Sequence, residues 1–239
     1  MKVLLTATVQ SHICQFHRPL VEILHAHGCE VHVAARDNLA EKNGLKLDFA
    51  EKVYNVPFAR SPKSRDNLQA YREVKKIIDE GHYDVIHCNT PMGGVITRLA
   101  ARKARKSGTR VYYTAHGFHF YKGAPKKNWF VFYPIEKFFS KMTDKVITIT
   151  KEDYQLASSK FHCRIERIHG VGVDENRYCP VSKEERQCIR KQFAFSDNQK
   201  IILCVGELLP NKNQQMIVRA MVKIVEEYPD AQLLLAGNG

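Results

Sequence analysis

KVLLTATVQSHICQFHRPLVEILHAHGCEVHVAA, residues 2–35, carries one full repeat of the pattern that decides the fold. KVLLTATV (2–9) is a run of apolar and β-branched residues and reads as a strand. Gln15 to His27 puts Leu20, Ile23 and Leu24 on one helical face, and Gly28 supplies the stop. EVHVAA (30–35) is the next strand. A dinucleotide-binding turn needs glycines after the first strand, so that the backbone can approach a pyrophosphate. None stands here, so this half of the chain is not expected to hold NAD or a flavin. Ser11, His12 and His17 offer a hydroxyl and two imidazoles instead. Ser11 is also of the type that caps a helix N-terminus.

The alternation repeats outward from this stretch. KVYNVPF (52–58), YDVIHCN (83–89), TRVYYTA (109–115), KVITIT (145–150) and CRIERIH (163–169) read as strands. Helices are expected from Asp66 to Glu80 with Gly81 as the end, from near Pro91 to Lys106, from Asn128 to Lys141 and from about Glu152. Apolar strands between amphipathic helices argue for an α/β fold, a parallel sheet covered on both faces. Ligands of such sheets sit at the carboxyl ends of the strands. His12, Asn89 and His116 each fall just past a strand end.

After His169 the pattern breaks. Residues 171–195 read as an interdomain connection between a first domain, 1–170, and the start of a second, 196–239. That second unit has a strand in KIILCVGEL (200–208), a helix from about Asn213 to Glu227 and a strand in AQLLLAGNG (231–239). One β-α-β unit leaves two sheet edges exposed, so the sequence is expected to be part of a longer, two-domain protein.

Composition narrows the function classes. The 239 residues are 44% hydrophobic and 26% charged, which is enough for a buried core. No apolar run approaches the ~20 residues of a membrane span, and the N-terminal run lacks a secretion cleavage site. Seven cysteines, an odd number without a CxxC pair, fit buried thiols in a reducing cytosol. The net charge is +12, and residues 61–150 hold 17 basic against 7 acidic side chains. A surplus so localised points to an anionic partner, with a merely solvated basic face as the alternative.

Two regions carry candidate chemistry. At His116-Gly117 a histidine follows a strand end on a residue that permits a sharp turn, placed to donate a hydrogen bond or relay a proton. His119 completes an H-x-x-H, but no carboxylate or cysteine lies close in sequence and no metal is expected. YKGAPKKNWFVFYPIEKFFSKM (121–142) then combines Lys122, Lys126, Lys127, Lys137 and Lys141 with Trp129, Phe130, Phe132, Tyr133, Phe138 and Phe139. That is the composition of a membrane-interface helix; nucleic-acid surfaces use similar residues, and ordinary core packing would also consume the aromatics. In the second unit, VGELLPNKNQQ (205–215) and AGNG (236–239) place glycine turns after successive strands, with Lys212 where a helix begins, as a phosphate site would.

Taken together, ATVQSHICQFHRP (7–19), YTAHGFHFYKGAP (113–125), KVITITKEDYQLA (145–157), IHGVGVDENRYCP (168–180), ILCVGELLPNKNQQMIVRAM (202–221) and LLLAGNG (233–239) resemble the retaining glycosyltransferases of family 4. The likeness is greatest to bacterial members that extend lipid-linked capsule or exopolysaccharide glycans. The resemblance implies the GT-B type, two Rossmann-like domains. It implies a nucleotide-sugar donor, UDP-linked by expectation, a polyprenyl-diphosphate acceptor, no metal, and a place at the inner face of the cell membrane. His116 would approach the donor sugar. Ser11, His12, Asn89, Gly117, His119 and Lys122 would line the cleft or acceptor side. Gly206, Glu207, Lys212, Asn213, Gly237 and Gly239 would form the donor-nucleotide site. Many relatives carry Arg-x-x-x-x-Lys at this turn; Glu207 stands in the arginine place and leaves Lys212 as the main cation. On the same resemblance, the family's later carboxylate motif would fall beyond Gly239. The lysine–aromatic run would face an anionic membrane, not nucleic acid. The alternatives are an inactive fragment of such an enzyme and a basic nucleic-acid-binding α/β protein.

Overall fold

Seven parallel strands in the order β3-β2-β1-β4-β5-β6-β7 form the sheet of the first of two units. A computed structural model describes every residue except Asn43, Asp174, Arg177 and Gly239. The units are Met1–Gly172 and Val173–Gly239. In the first, β1 (Lys2–Val9) runs into α1 (Gln10–Phe16), α2 (Arg18–Ala26) and β2 (Glu30–Arg36), with β3 (Lys52–Asn55) at the edge. Then come α3 (Asp66–Gly81), β4 (Val85–Asn89), α4 (Pro91–Ala100), α5 (Arg102–Lys106) and β5 (Arg110–Ala115). It closes with α6 (Lys126–Ser140), β6 (Lys145–Thr148), α7 (Lys151–Lys160) and β7 (Arg164–Arg167).

The central strands β1, β2 and β4 are buried almost end to end because both sheet faces are covered, while the edge strands β3 and β7 stay largely exposed. Leu4, Ala34, Ile86 and Val111 pack under α3 and α4 on one face. Val3, Leu5, Val31 and Val33 meet Ile13 and Val21 of α1 and α2 on the other. A third cluster, with Tyr113, Phe118, Phe120 and Val146 at its centre, takes in Trp129, Phe132 and Tyr133 of α6. In this way α6 is tied to the β5 side of the sheet.

Several expectations are corrected at the local level. The first helix begins at Gln10, directly off the strand, and divides at His17. Pro19 explains the break: it has no N–H for a continuing helix and fits the first turn of α2. Ser11 is not the cap; it lies inside α1, where its Oγ accepts from Asn38 Nδ2 at 2.9 Å. The helix from Pro91 likewise divides at Ala101. Gly81 belongs to α3, and the left-handed cap is His82 at φ 49°. Glycine is needed at position 81 for space, since a Cβ there would stand 2.2 Å from the Tyr83 ring. β3 stops at Asn55, two residues before Pro57, which cannot donate to a ladder.

The second unit opens with α8 (Lys183–Gln192), a helix inside the stretch read as a connection; Ser182 caps it by accepting from the Glu185 N–H at 3.1 Å. β8 (Ile201–Val205), α9 (Gln214–Glu227) and β9 (Gln232–Ala236) follow, with β8 and β9 parallel.

Candidate functional site

The strand order reverses between β1 and β4. From β1 the chain moves outward to β2 and β3, and from β4 it moves the other way to β5, β6 and β7. Helices α1 and α4 therefore leave the carboxyl ends of adjacent strands toward opposite faces and open a crevice, the place where α/β sheets bind ligands. Four imidazoles meet there. His12 lies on α1 and His17 at the α1–α2 break, His87 lies on β4, and His116 follows β5.

His12 Nε2 lies 3.2 Å from His116 Nε2, with the rings edge to face. His17 is packed against His12, His87 and His116, with ring centroids 5.5, 5.9 and 6.2 Å away. Its Nε2 is buried without a hydrogen-bond partner. His87 is committed to Thr114 Oγ1 at 2.7 Å. Gly117, at φ 114°, makes the turn that lets His116 follow the strand end.

Asn89 ends β4 fully buried, its Nδ2 donating to the Thr6 carbonyl at 3.3 Å and its Oδ1 without a partner. The next residue, Thr90, is held at φ 63°, ψ 150°, a conformation that only glycine adopts freely. Thr8 holds it there, through an N–H to Thr90 Oγ1 at 3.0 Å and a hydroxyl contact of 2.7 Å. Gly93 allows the approach, since a Cβ on it would stand 3.1 Å from the Thr8 nitrogen.

Burial sets the charge of the cluster. His12 is lowered to about 4 by burial and then by the neighbouring His116 charge. His17 is lowered to about 2, by burial first and then by His87, His12 and His116, against an opposing hydrogen-bond contribution from Asn89. His87 is lowered to about 4 and His116 is lowered too, each chiefly by burial. At neutral pH the rings are uncharged, so each offers one N–H donor and one lone pair. Such a group can hydrogen-bond a sugar hydroxyl in either direction without attracting a bulk anion.

Of the cleft residues expected from sequence, Asn89, His12, His116 and Gly117 come to this crevice. Ser11 is buried on its Asn38 contact. His119 is exposed and stacks on Phe132 at 4.5 Å, outside the histidine group. Lys122 is exposed, and its backbone N–H donates to Glu152 Oε1 at 2.6 Å. His87 was not singled out in the sequence, because a histidine inside a strand pattern carries no local sign of what stands beside it.

In the second unit the two glycine turns lie against each other. Gly206 has φ 155°, and a Cβ on Gly237 would stand 1.9 Å from the Gly206 carbonyl oxygen. A cleft of about 480 Å³ opens there, lined by Val205, Gly206, Glu207, Leu209, Ala236 and Gly237. Gln214, at the start of α9, donates to the Glu207 carbonyl at 2.8 Å and fixes the turn to the helix. Lys212 is exposed on a short 3-10 turn (Pro210–Lys212), followed by Asn213 in the left-handed region at φ 52°. Gly239, expected in the same site, lies outside the described residues.

This crevice-bearing sheet, residues 2–150, matches the family model described as Glycosyl transferase 4-like. The chain belongs to that family. Residues 185–239 of this glycosyl transferase 4-like chain match a second model, Glycosyl transferases group 1. "Putative glycosyltransferase EpsD" of Bacillus subtilis (strain 168) is 44% identical over 240 residues, covering 100% of this chain and 61% of that protein. The Escherichia coli UDP-Gal:alpha-D-GlcNAc-diphosphoundecaprenol alpha-1,3-galactosyltransferase is 26% identical over 199 residues, covering 81% of this chain and 50% of that one. The chain thus spans half to three-fifths of the length of these two relatives.

Among solved structures, sucrose-phosphate synthase from Thermosynechococcus elongatus aligns with a TM-score of 0.69 at 18% identity, covering 99% of this chain and 62% of that one. The UDP-GlcNAc 2-epimerase of Neisseria meningitidis, bound to UDP-GlcNAc, aligns with a TM-score of 0.63 at 14% identity, covering 98% and 65%. At these identities the likeness concerns the fold, and it bears out the α/β, GT-B-type architecture expected from sequence.

Proposed function

We propose that this chain is the acceptor-binding domain and the first part of the donor domain of a retaining glycosyltransferase. The enzyme moves a sugar from a nucleotide-sugar, UDP-linked, to a polyprenyl-diphosphate-linked glycan in exopolysaccharide or capsule synthesis. The observation that carries the reading is the His12–His116 pair at the carboxyl end of the sheet, in a chain 44% identical over 240 residues to the putative glycosyltransferase EpsD.

In this reading neutral His116 hydrogen-bonds a hydroxyl of the donor sugar and holds the reacting carbon in register with the acceptor. His12 fixes the tautomer and orientation of His116. The close turns at Gly206 and Gly237 admit the nucleotide, and Lys212 with the first turn of α9 neutralises its diphosphate. The leaving diphosphate is then carried by a protein cation and backbone N–H groups, without a catalytic metal. The basic, aromatic α6 region faces the inner leaflet, where a lipid-linked acceptor resides.

The test supplies UDP-[14C]glucose, -galactose or -N-acetylglucosamine to a full-length enzyme carrying this chain, with a membrane extract holding polyprenyl-diphosphate glycans. Label entering the organic phase in an α-linkage supports the proposal. Nucleotide-sugar binding that yields only hydrolysis, or label transferred with inversion, would overturn it.

A further inference from the structure

The proposed sugar transfer uses one of the crevice imidazoles and a second to orient it, yet a third is aimed at the same point. One nitrogen from each of His12, His17 and His116 can be chosen so that all three lie within 4.8 Å of one another. Two nitrogens on one tetrahedral ion, each about 2.0–2.1 Å from it, stand about 3.3 Å apart. The His12–His116 separation of 3.2 Å is already that edge. His17 has to close on the pair by up to about 1.5 Å to reach the bond lengths of such a site.

Two independent features point His17 at a ligand. The residue is 5% exposed, and its Nε2 makes no hydrogen bond of good geometry, although the Asn89 side chain stands close enough to interact with the ring. A buried nitrogen left so costs folding free energy. The backbone also breaks to put it there. In an unbroken α-helix, residues 12 and 17 would point about 140° apart, at 3.6 residues per turn. His17 instead sits at φ −120°, ψ 0° between α1 and α2, held by its N–H to the Ile13 carbonyl and by the Val21 N–H to its own carbonyl. This break brings both rings to one crevice.

The donor set is three imidazoles without a carboxylate. Nitrogen ligands of this kind suit zinc and its neighbours among the transition ions, whereas magnesium and calcium prefer oxygen. His87 is not a fourth ligand, because Thr114 holds its Nε2. A water molecule would complete the tetrahedron.

We infer that His12, His17 and His116 form a binding site for a divalent transition ion of the zinc class, and that filling it removes His116 from the sugar and so opposes transfer. The second half rests on the role proposed for His116; the first does not. The ion is an inhibitor here and not a cofactor.

The experiment uses the untagged chain, stripped with chelator and desalted. Co2+ is the optical probe and Zn2+ the calorimetric one. One equivalent of Co2+ should give the visible absorption of a tetrahedral site, which Zn2+ then bleaches and Mg2+ does not. His12→Gln and His116→Gln should each weaken Zn2+ binding tenfold or more, while His25→Gln, which removes an exposed histidine beside Glu51, should not. His17→Asn is the buried variant, and its melting temperature is recorded to separate lost binding from lost folding. Absence of a one-equivalent site, or binding unchanged in both His12→Gln and His116→Gln, would overturn the site. A site that forms as expected while Zn2+ leaves transfer by the active enzyme unaltered would overturn the inhibitory half, and with it the role of His116 on the sugar.

Discussion

His116 is a residue whose removal should separate function from stability. It is half-buried on a glycine turn at the rim of the crevice, outside the three apolar core clusters, and a positioned hydrogen bond to a reacting group is worth roughly 10²-fold in rate. In a full-length version of the enzyme, His116→Ala is expected to lower sugar transfer by about two orders of magnitude and to leave the melting temperature within a few degrees. A rate near wild type beside a lowered melting temperature would show a purely structural histidine. The thiols give a second check at the same scale. Burial pushes Cys88 up to about 12 and Cys163 up to about 11, so neither is a thiolate at neutral pH. Cys179 and Cys188 are exposed. Iodoacetamide at pH 7.5 should therefore modify Cys179 and Cys188 in the native protein and reach Cys88 only after denaturation. Peptide mapping reads this directly, and early labelling of Cys88 would mean that β4 is not the sealed strand described here.

Between elements, one buried tie is hidden from the sequence. Arg98 of α4 is fully buried; its Nη2 meets Glu136 of α6 at 2.9 Å, its Nε meets the Gly94 carbonyl at 2.9 Å, and its guanidinium lies 4.0 Å from the centre of the Tyr113 ring on β5. Removing one member of a buried ion pair strands the other charge, a loss of about 3–5 kcal/mol, while replacing both by apolar groups is often neutral. Arg98→Ala and Glu136→Ala are each expected to lower unfolding free energy by that order, and Arg98→Met with Glu136→Leu to recover most of it. Urea titrations would decide, and additive losses in the double variant would show the pair to be uncoupled. Nothing in the sequence announces this tie, because the partners are 38 residues apart. Glu136 also stands among lysines and aromatics, where a glutamate reads as a surface charge. Most elements were legible, since strand and helix differ in period and each segment carries its own; α8 was not, because its charged sequence reads as a connection. The switch-point residues His12, Asn89 and His116 could be named because strand ends are visible in that pattern. The break at His17 needed the consequence of Pro19 two residues later, and the meeting of His17 with His87 is tertiary, without a spacing to betray it.

On the scale of the whole molecule, the charge surplus of residues 61–150 and the outer face of α6 belong to one surface problem. The aromatics of α6 divide between two environments. Trp129, Phe132 and Tyr133 join the core, while Phe130 is 80% exposed and Phe138 53% exposed, with Val131 and Ile135 also exposed. Lys122, Lys126, Lys127 and Lys141 are exposed too; Lys137 is half-buried, 5.8 Å from the centre of the Tyr133 ring. No helix among the described residues is long and apolar enough to cross a membrane. An interfacial helix instead needs apolar side chains to enter the acyl boundary and basic ones to meet the headgroups. Each basic residue near an anionic leaflet contributes about 1 kcal/mol, so four exposed lysines give roughly 4 kcal/mol before any aromatic enters. That predicts weak, reversible binding to anionic vesicles, falling steeply with salt because exposed charges are screened beyond about 8 Å at physiological ionic strength. Replacing Lys122, Lys126 and Lys127 by glutamine should release most of the protein from phosphatidylglycerol vesicles in a co-sedimentation assay. Phe130→Ser should weaken binding with little change in its salt dependence, since it removes insertion and not charge. Lys42→Gln with Lys46→Gln, which changes charge far along the chain from this region, should leave binding as it was. Equal binding to neutral and anionic vesicles, or a triple lysine variant that sediments like the parent, would mean that these lysines only keep the surface solvated and that the acceptor reaches the protein by another face.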